Sequence, residues 1–317
     1  MVDFIETDDE EVSSFEKYFV SDIVPAVEEV NRVKDKYRTK FWGYFWTILF
    51  LMCINLLISF FGFLLNNHPL NYEQLFLVNT IALIVMFYPI YQYAKAPKLD
   101  VFGIFLDFYG NWRHEKNKEV SLVHSPIIPP HDYVYARHNI AAEYPDWCLE
   151  LRDTVYGKNG TIRNINYKRK VSSGVVLLVK YKQKFKGKIL LFDKKGFYCK
   201  NKFEGLSNVG NVIAPTVAEC FHIFSDNADF AEDMLPTLFF DSVLELKNTL
   251  GAKRLYVEIQ GNIMRLYFEG AQLYIDSDKF WSNKINRNKF IQLNGAIEQT
   301  LLLIETVTTL REQHDRH

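Results

Sequence analysis

Residues 41–65, FWGYFWTILFLMCINLLISFFGFLL, and residues 75–93, LFLVNTIALIVMFYPIYQY, decide the fold. Each run is long enough, at about 1.5 Å per helical residue, to cross a hydrocarbon layer of about 30 Å. No Asp, Glu, Lys, Arg or His lies within either run, and no Lys or Arg falls between Lys40 and Lys95. The stretch therefore reads as a transmembrane hairpin at 41–93. Trp42, Tyr44 and Trp46 crowd one end, and Tyr88, Tyr91 and Tyr93 the other, where membrane-interface anchors belong.

Flanking charge predicts a direction. Arg32, Lys34, Lys36, Arg38 and Lys40 precede the first span, and Lys95, Lys98, Arg113, Lys116 and Lys118 follow the second. The positive-inside rule then puts both flanks and both termini in the cytoplasm, and the turn 66–71 outside. The expected location is a bacterial cytoplasmic (inner) membrane, crossed twice. Asn55 reads as an inter-helix hydrogen-bonding residue. The absence of ionisable side chains speaks for an anchor and against an ion or proton path.

Working outward, residues 1–40 predict an N-terminal cytoplasmic helical segment. Ser13 and Glu16 fit a capping box, and Phe15, Phe19, Ile23 and Val27 form an apolar stripe. Pro25 predicts a kink or a break into two helices. The start, with Asp8, Asp9, Glu10 and Glu11, lacks the basic segment of a signal peptide. The chain of 317 residues carries 37 Lys+Arg and 38 Asp+Glu, and its mean hydropathy is −0.10. That value suits a small membrane segment bearing a larger polar domain, here residues 94–317.

That domain reads as α+β, with an antiparallel sheet and segregated helices. A short helix is expected over 98–108 and a strand over 110–115. Period-two alternation begins near Tyr167, and Val175, Leu177, Val179 and Tyr181 predict a strand. Lys188–Phe192 is expected to pair back on it as a hairpin. Phe221–Phe224 reads as a strand and Ala231–Leu250 as a helix starting in earnest near Pro236. Leu255–Gln260 and Ile263–Glu269 are strands joined by Gly261-Asn262, a two-residue turn in which glycine supplies the positive φ. Ala271–Ile275 reads as a short strand and Ile291–Arg311 as a closing amphipathic helix.

Charge is segregated within this domain. Lys158 to Lys202 holds about fourteen basic residues and one acid, Asp193. Lys180, Lys182, Lys184, Lys186 and Lys188 are spaced by two and would share one strand face. Three readings stay open: a face for anionic lipid or a partner protein, a solvated edge strand, or neutralisation by the acidic segment Asp3–Glu29. Tyr167, Tyr181, Phe185, Phe192 and Phe197 interleave with the cations, but no nucleic-acid-binding module accompanies them.

Catalytic and metal signatures are not found. The sequence holds no phosphate-binding loop, dinucleotide turn, nucleophile elbow or zinc-protease helix. Cys53, Cys148, Cys199 and Cys220 are scattered and read as free thiols. His114, His124, His131 and His138 sit at irregular spacing around prolines and read as loop residues. Asp226, Asp229, Glu232 and Asp233 suit the start of a helix. No cofactor, metal or catalytic residue is expected.

The layout also resembles a known family. Gly174–Lys188 is similar to its paired-strand signature, and Phe221–Asp226 followed by Ala231–Pro236 to its "F-x-V-Y-S-x-D…A-R-x-I-L-x-P" segment. Leu255–Glu269 matches a later hairpin. The family is the bacterial membrane proteins of domain of unknown function 3137. Glu232-Asp233 departs from the arginine usual there. The resemblance implies a membrane hairpin with an α+β domain and no established catalytic residues. The expected function is a membrane-anchored, non-enzymatic scaffold or binding protein contacting a partner protein or anionic lipid. The alternative is an enzyme acting on a membrane-derived small molecule.

Overall fold

The N-terminal stripe and the first apolar run form one continuous helix. A computed structural model of the chain describes residues 14–66, 72–97, 99–120, 125–162, 165–196, 203, 205–213, 215–273 and 280–316. The capping residue Ser13, the turn 67–71, His124, Cys199 and the sequence-expected strand residues 274–275 lie outside them. The helix runs from residue 14 through a π-helical turn, Phe19–Ile23, into α1, Val24–Asn66. No break occurs at Pro25. The Val24 N–H donates to the Phe19 carbonyl, widening the turn just before the proline and making room for its ring, which has no N–H to give the ladder.

The chain divides into two compact units. The first comprises Met1–Ile104 and Ile275–Arg287. Its second helix is α2, Tyr72–Lys95. Phe41, Phe45, Ile48 and Met52 on α1 meet Ala82, Met86, Ile90 and Tyr93 on α2. Steps of three and four residues align these side chains on one stripe of each helix. Asn55 and Asn79 continue the two stripes, and both are half-buried. Away from this stripe, the described part of the two apolar runs exposes apolar side chains, including Phe50, Leu51, Ile58, Phe76 and Ile84. Both helices have the length and composition to cross a membrane.

The second unit is an antiparallel sheet with helices on one face. Among the described residues its strands are β1 (Trp112–Glu119), β2 (Tyr133–Glu143), β3 (Trp147–Ile162), β4 (Ile165–Tyr181), β5 (Ile189–Asp193), β6 (Ser207–Asn208), β7 (Phe221–Ser225), β8 (Arg254–Gln260) and β9 (Ile263–Glu269). Their order is β1-β2-β3-β4-β9-β8-β5-β7-β6, with every neighbouring pair antiparallel. Among the described residues the further helices are α3 (Val101–Asp107), whose first half is counted in the first unit, α4 (Gly210–Ile213), α5 (Pro215–Ala218), α6 (Ala228–Met234), α7 (Thr237–Thr249) and α8 (Arg287–Arg316), which enters the second unit at Asn288. Asn227 caps α6 by accepting from the Phe230 N–H, and Pro236 precedes α7.

One face of the sheet carries Val175, Leu177, Val179 and Tyr181, all buried. Helices α7 and α8 cover it. Arg311 of α8 stacks 5.1 Å from the Tyr181 ring centroid, and Lys247 of α7 pairs with Asp193 at 3.7 Å. Phe290, Leu293, Ile297 and Ile304 supply the buried stripe of α8. On the opposite face, Ile127, Ile128, Phe203 and Leu206 pack over Tyr156, Val176, Phe192, Tyr256 and Tyr267.

Several expectations are corrected. Strand β5 does not pair back on β4. It lies between β8 and β7, a long-range arrangement with no local signature. From Gly174 to Lys180 strand β4 is interior, between β3 and β9, so Lys180 does not stand on a sheet edge. His114 and His138, expected in loops, lie on β1 and β2, and residues 133–162 form β2 and β3, strands that no sequence expectation covered. Ala271–Leu273 is not a strand, and the expected Ala231–Leu250 helix is split at Leu235-Pro236.

Candidate functional site

The face away from the helices holds polar side chains at positions that strand alternation turns inward. Arg265 of β9 sits opposite Glu258 of β8 and is hydrogen-bonded to it, and Ser125 Oγ donates to the same carboxylate at 2.7 Å. Arg152 Nε donates to Glu150 at 2.7 Å. Tyr256 OH and Arg254 both donate to Glu269 Oε2, at 2.9 and 3.2 Å. Burial pushes the Tyr156 and Tyr267 hydroxyls above the ordinary phenol range, so both stay neutral. Between Arg152, Arg265, Thr154 and Tyr156 lies a cavity of about 20 Å³, room for one water molecule.

A second feature is a basic two-stranded arm. Strand β2 follows β3 only to Gly157, paired with Tyr133, and β9 follows β4 only to Gly174, paired with Glu269. Beyond those points β3 and β4 continue together, pairing Lys158 with Arg169, Asn159 with Lys168, Gly160 with Tyr167 and Thr161 with Asn166. Lys158, Lys168, Arg169 and Lys170 are all exposed. Lys158 and Arg169, like charges directly opposite one another, destabilise the ribbon.

The arm is built by tyrosines lying across glycines. A Cβ on Gly157 would stand 2.0 Å from the Tyr133 ring, and one on Gly160 would stand 2.4 Å from the Tyr167 ring. Lys168 Nζ sits 5.3 Å from the Tyr133 centroid, a cation–π distance. Asp132 accepts from the Asn159 N–H at 2.8 Å and fixes the base. Lys158, Asn159, Gly160, Tyr167, Arg169, Lys170 and Val171 line an open trough of about 400 Å³. That lining offers cations and a phenol, and no carboxylate, imidazole or thiol.

The five sequence-marked lysines do not share a strand face. Strand β4 ends at Tyr181. Phe185 then turns inward, its N–H donating to the Gly261 carbonyl at 2.6 Å and its ring packing 5.3 Å from Tyr181. Lys180 remains on the strand, exposed, while Lys182, Lys184 and Lys186 are exposed on the following loop. Lys186 Nζ reaches the His314 carbonyl at 3.4 Å. Lys188 is half-buried, its N–H held by Asp226 at 2.7 Å. The arm cations, also within the basic stretch, were not singled out by spacing, because Gly157 and Gly160 resemble strand breakers.

The expected interface anchors Trp42, Tyr44, Trp46, Tyr88 and Tyr91 are exposed, and Tyr93 is buried against Phe280 at 5.4 Å. Of the histidines, His114 and His138 stack with Nε2 and Nδ1 3.0 Å apart, and His131 Nδ1 lies 2.9 Å from the Pro129 carbonyl. Among the described residues no three potential metal ligands converge.

No family model matches the chain, and no curated protein does. Among solved structures, the chain is similar to the crystal structure of the mycobacterial trehalose monomycolate transport factor A, TtfA, at 13% identity and a TM-score of 0.37, over 64% of this chain and 92% of that one.

Proposed function

We propose that this chain is a membrane-anchored, non-enzymatic binding protein of the kind the domain 3137 resemblance implies. Helices α1 and α2 cross a bacterial cytoplasmic membrane with both flanks inside. The α+β domain presents its cations to an anionic partner, a protein or lipid head groups. The observation that carries this reading is the arm, where Lys158, Lys168, Arg169 and Lys170 project on strands that pair with each other beyond their neighbours. Lys158 and Arg169 stand directly opposite one another, an arrangement that costs stability and that an anionic ligand would offset. Lys180, Lys182, Lys184, Lys186 and Lys188 extend the cationic character of the same domain.

The exposed apolar surface of the hairpin supports the anchor, since contiguous apolar surface of this extent is unfavourable in water. The enzyme alternative finds less support. The space between Arg152 and Arg265, about 20 Å³, holds no substrate, and the open trough of about 400 Å³ on the arm is lined by cations and a phenol, with no carboxylate, imidazole or thiol.

The test uses the full chain in neutral nanodiscs. Vesicles with anionic lipid should be captured, and capture should weaken with salt, since exposed charges are screened over about 8–10 Å near physiological ionic strength. In parallel, crosslinking in native membranes should recover a protein neighbour if the partner is a protein. Both effects should be lost when Lys158, Lys168, Arg169 and Lys170 are changed to Glu. Salt-insensitive capture together with no recovered neighbour contradicts the reading.

A further inference from the structure

The segment between β9 and α8 contains an aromatic pair, Phe280-Trp281, followed by Ser282-Asn-Lys-Ile-Asn-Arg287. This stretch belongs to the unit that contains the hairpin. We infer that it is a membrane-interface element, and that Trp281 joins Trp42 and Trp46 in an indole patch seated among the lipid head groups. The inference rests on the proposed membrane reading and adds a second, non-spanning attachment.

The segment is strapped along α1 in a fixed register. Arg287 pairs with Glu28, and Lys284 with Asp35 at 2.5 Å. The Asn31 amide donates to the Ile285 carbonyl at 3.2 Å and accepts from the Ile285 N–H at 2.9 Å. Lys34, buried, donates from Nζ to Ser282 Oγ at 2.6 Å and to the Asn283 carbonyl at 3.1 Å. Arg38 Nε donates to the Phe280 carbonyl at 2.9 Å, and its Nη2 to that of Ser282. Residue numbers fall along the strap as they rise along α1, so the strap climbs toward the apolar run. Two of the five cations that precede the first apolar run, Lys34 and Arg38, thus hold the strap.

At the top of the strap the aromatic pair divides. Phe280 is buried, 5.9 Å from Phe41 and 5.4 Å from Tyr93. These residues close the hairpin seam where the first apolar run begins and the second ends. Trp281 packs edge-on against Phe41 at 5.0 Å, lies 6.4 Å from Trp42, and remains 56% exposed. Trp42 and Trp46 are 46% and 61% exposed. Phe280 therefore serves the interior, while Trp281 adds an indole to a surface already apolar. An indole with an apolar body and an N–H donor is favoured at head-group depth, with one side dry and the other wet. Exposed Lys36 and Lys40 add charge suited to lipid phosphates. The patch is continuous with the hairpin surface, which identifies the bilayer interface as its occupant.

Depth-resolved quenching in proteoliposomes tests this on the full chain. One variant keeps Trp281 alone, with Trp42, Trp46, Trp112 and Trp147 changed to Phe. A second keeps Trp46 alone. Trp281 should lose emission to lipids brominated near the head group, more than to lipids brominated deep in the chain, and should be shielded from acrylamide. Unpinning the strap with Asn31→Ala and Arg38→Ala should abolish that loss at Trp281 and leave it at Trp46. Trp281 open to acrylamide and untouched by brominated lipid, with Trp46 quenched, overturns the inference and leaves the hairpin reading standing. An unquenched Trp46 overturns both. Should the single-Trp chain misfold, Trp281→Phe in the otherwise native chain should reduce the shallow-quenched part of the emission, leaving that of Trp42 and Trp46, and unchanged quenching overturns the inference.

Discussion

The side-chain amide of Asn31 and the backbone of Ile285 exchange both of their hydrogen bonds, at 3.2 and 2.9 Å, across 254 residues of sequence. A helix residue thereby acts as a strand partner for an extended segment. Asn31→Ala removes both bonds and leaves the Ile285 groups to find water, so a loss of about 1–3 kcal/mol is expected. Thermal unfolding of the detergent-solubilised chain measures it. Asn31→Asp keeps the acceptor and loses the donor, and should fall between the two.

The ion pair between Glu258 and Arg265 is enclosed, with side chains 8% and 11% exposed, and Ser125 completes it. Breaking it from one side strands a charge. Glu258→Gln should cost about 3–5 kcal/mol, whereas a double change of both residues to Met should cost much less. Denaturant unfolding of the variants distinguishes the two outcomes.

Gly157 carries no side chain because the Tyr133 ring occupies that space, 2.0 Å from where a Cβ would stand. Gly157→Ala should destabilise the arm by about 1–3 kcal/mol through overpacking. Adding Tyr133→Ala should recover part of that loss, giving a clear coupling in a double-mutant cycle.

Asp153 is fully buried beside Arg137, which donates at 2.7 Å. Burial raises its carboxyl above the ordinary value, and Arg137 offsets this only in part. The folded state then holds a proton that the unfolded state has released, so stability falls as pH rises from about 4 through the folded value. Asp153→Asn should flatten that decline in a series of unfolding curves from acid to neutral pH. An unchanged slope would show that Asp153 is not its source.

The two long apolar helices were legible because unbroken apolar runs without charge record themselves in composition alone. The α+β character was legible from the Val175–Tyr181 alternation and from the turn at Gly261, whose φ is +61°. Strands β2 and β3 were hidden for physical reasons. A register shift between Ala136 and His138 breaks the period in β2, and the inward polar residues Glu150 and Arg152 of β3 are satisfied by each other. Glycines 157 and 160 looked like breakers because the tyrosines filling their space lie elsewhere in the sequence. The lysine alternation through 180–188 outlasts its strand, since Phe185 and the Gly261 carbonyl turn the chain away. Nothing local in 280–287 signals the strap, because its partners on α1 are some 250 residues distant.

Membrane topology is tested most directly by one thiol in the turn between the helices. Asn67→Cys, in intact cells, should react with an impermeant thiol reagent added outside, while Cys148 and Cys220 of the α+β domain react only after permeabilisation. Labelling of Cys148 or Cys220 in intact cells, with residue 67 protected, would contradict a hairpin whose soluble domain faces the cytoplasm.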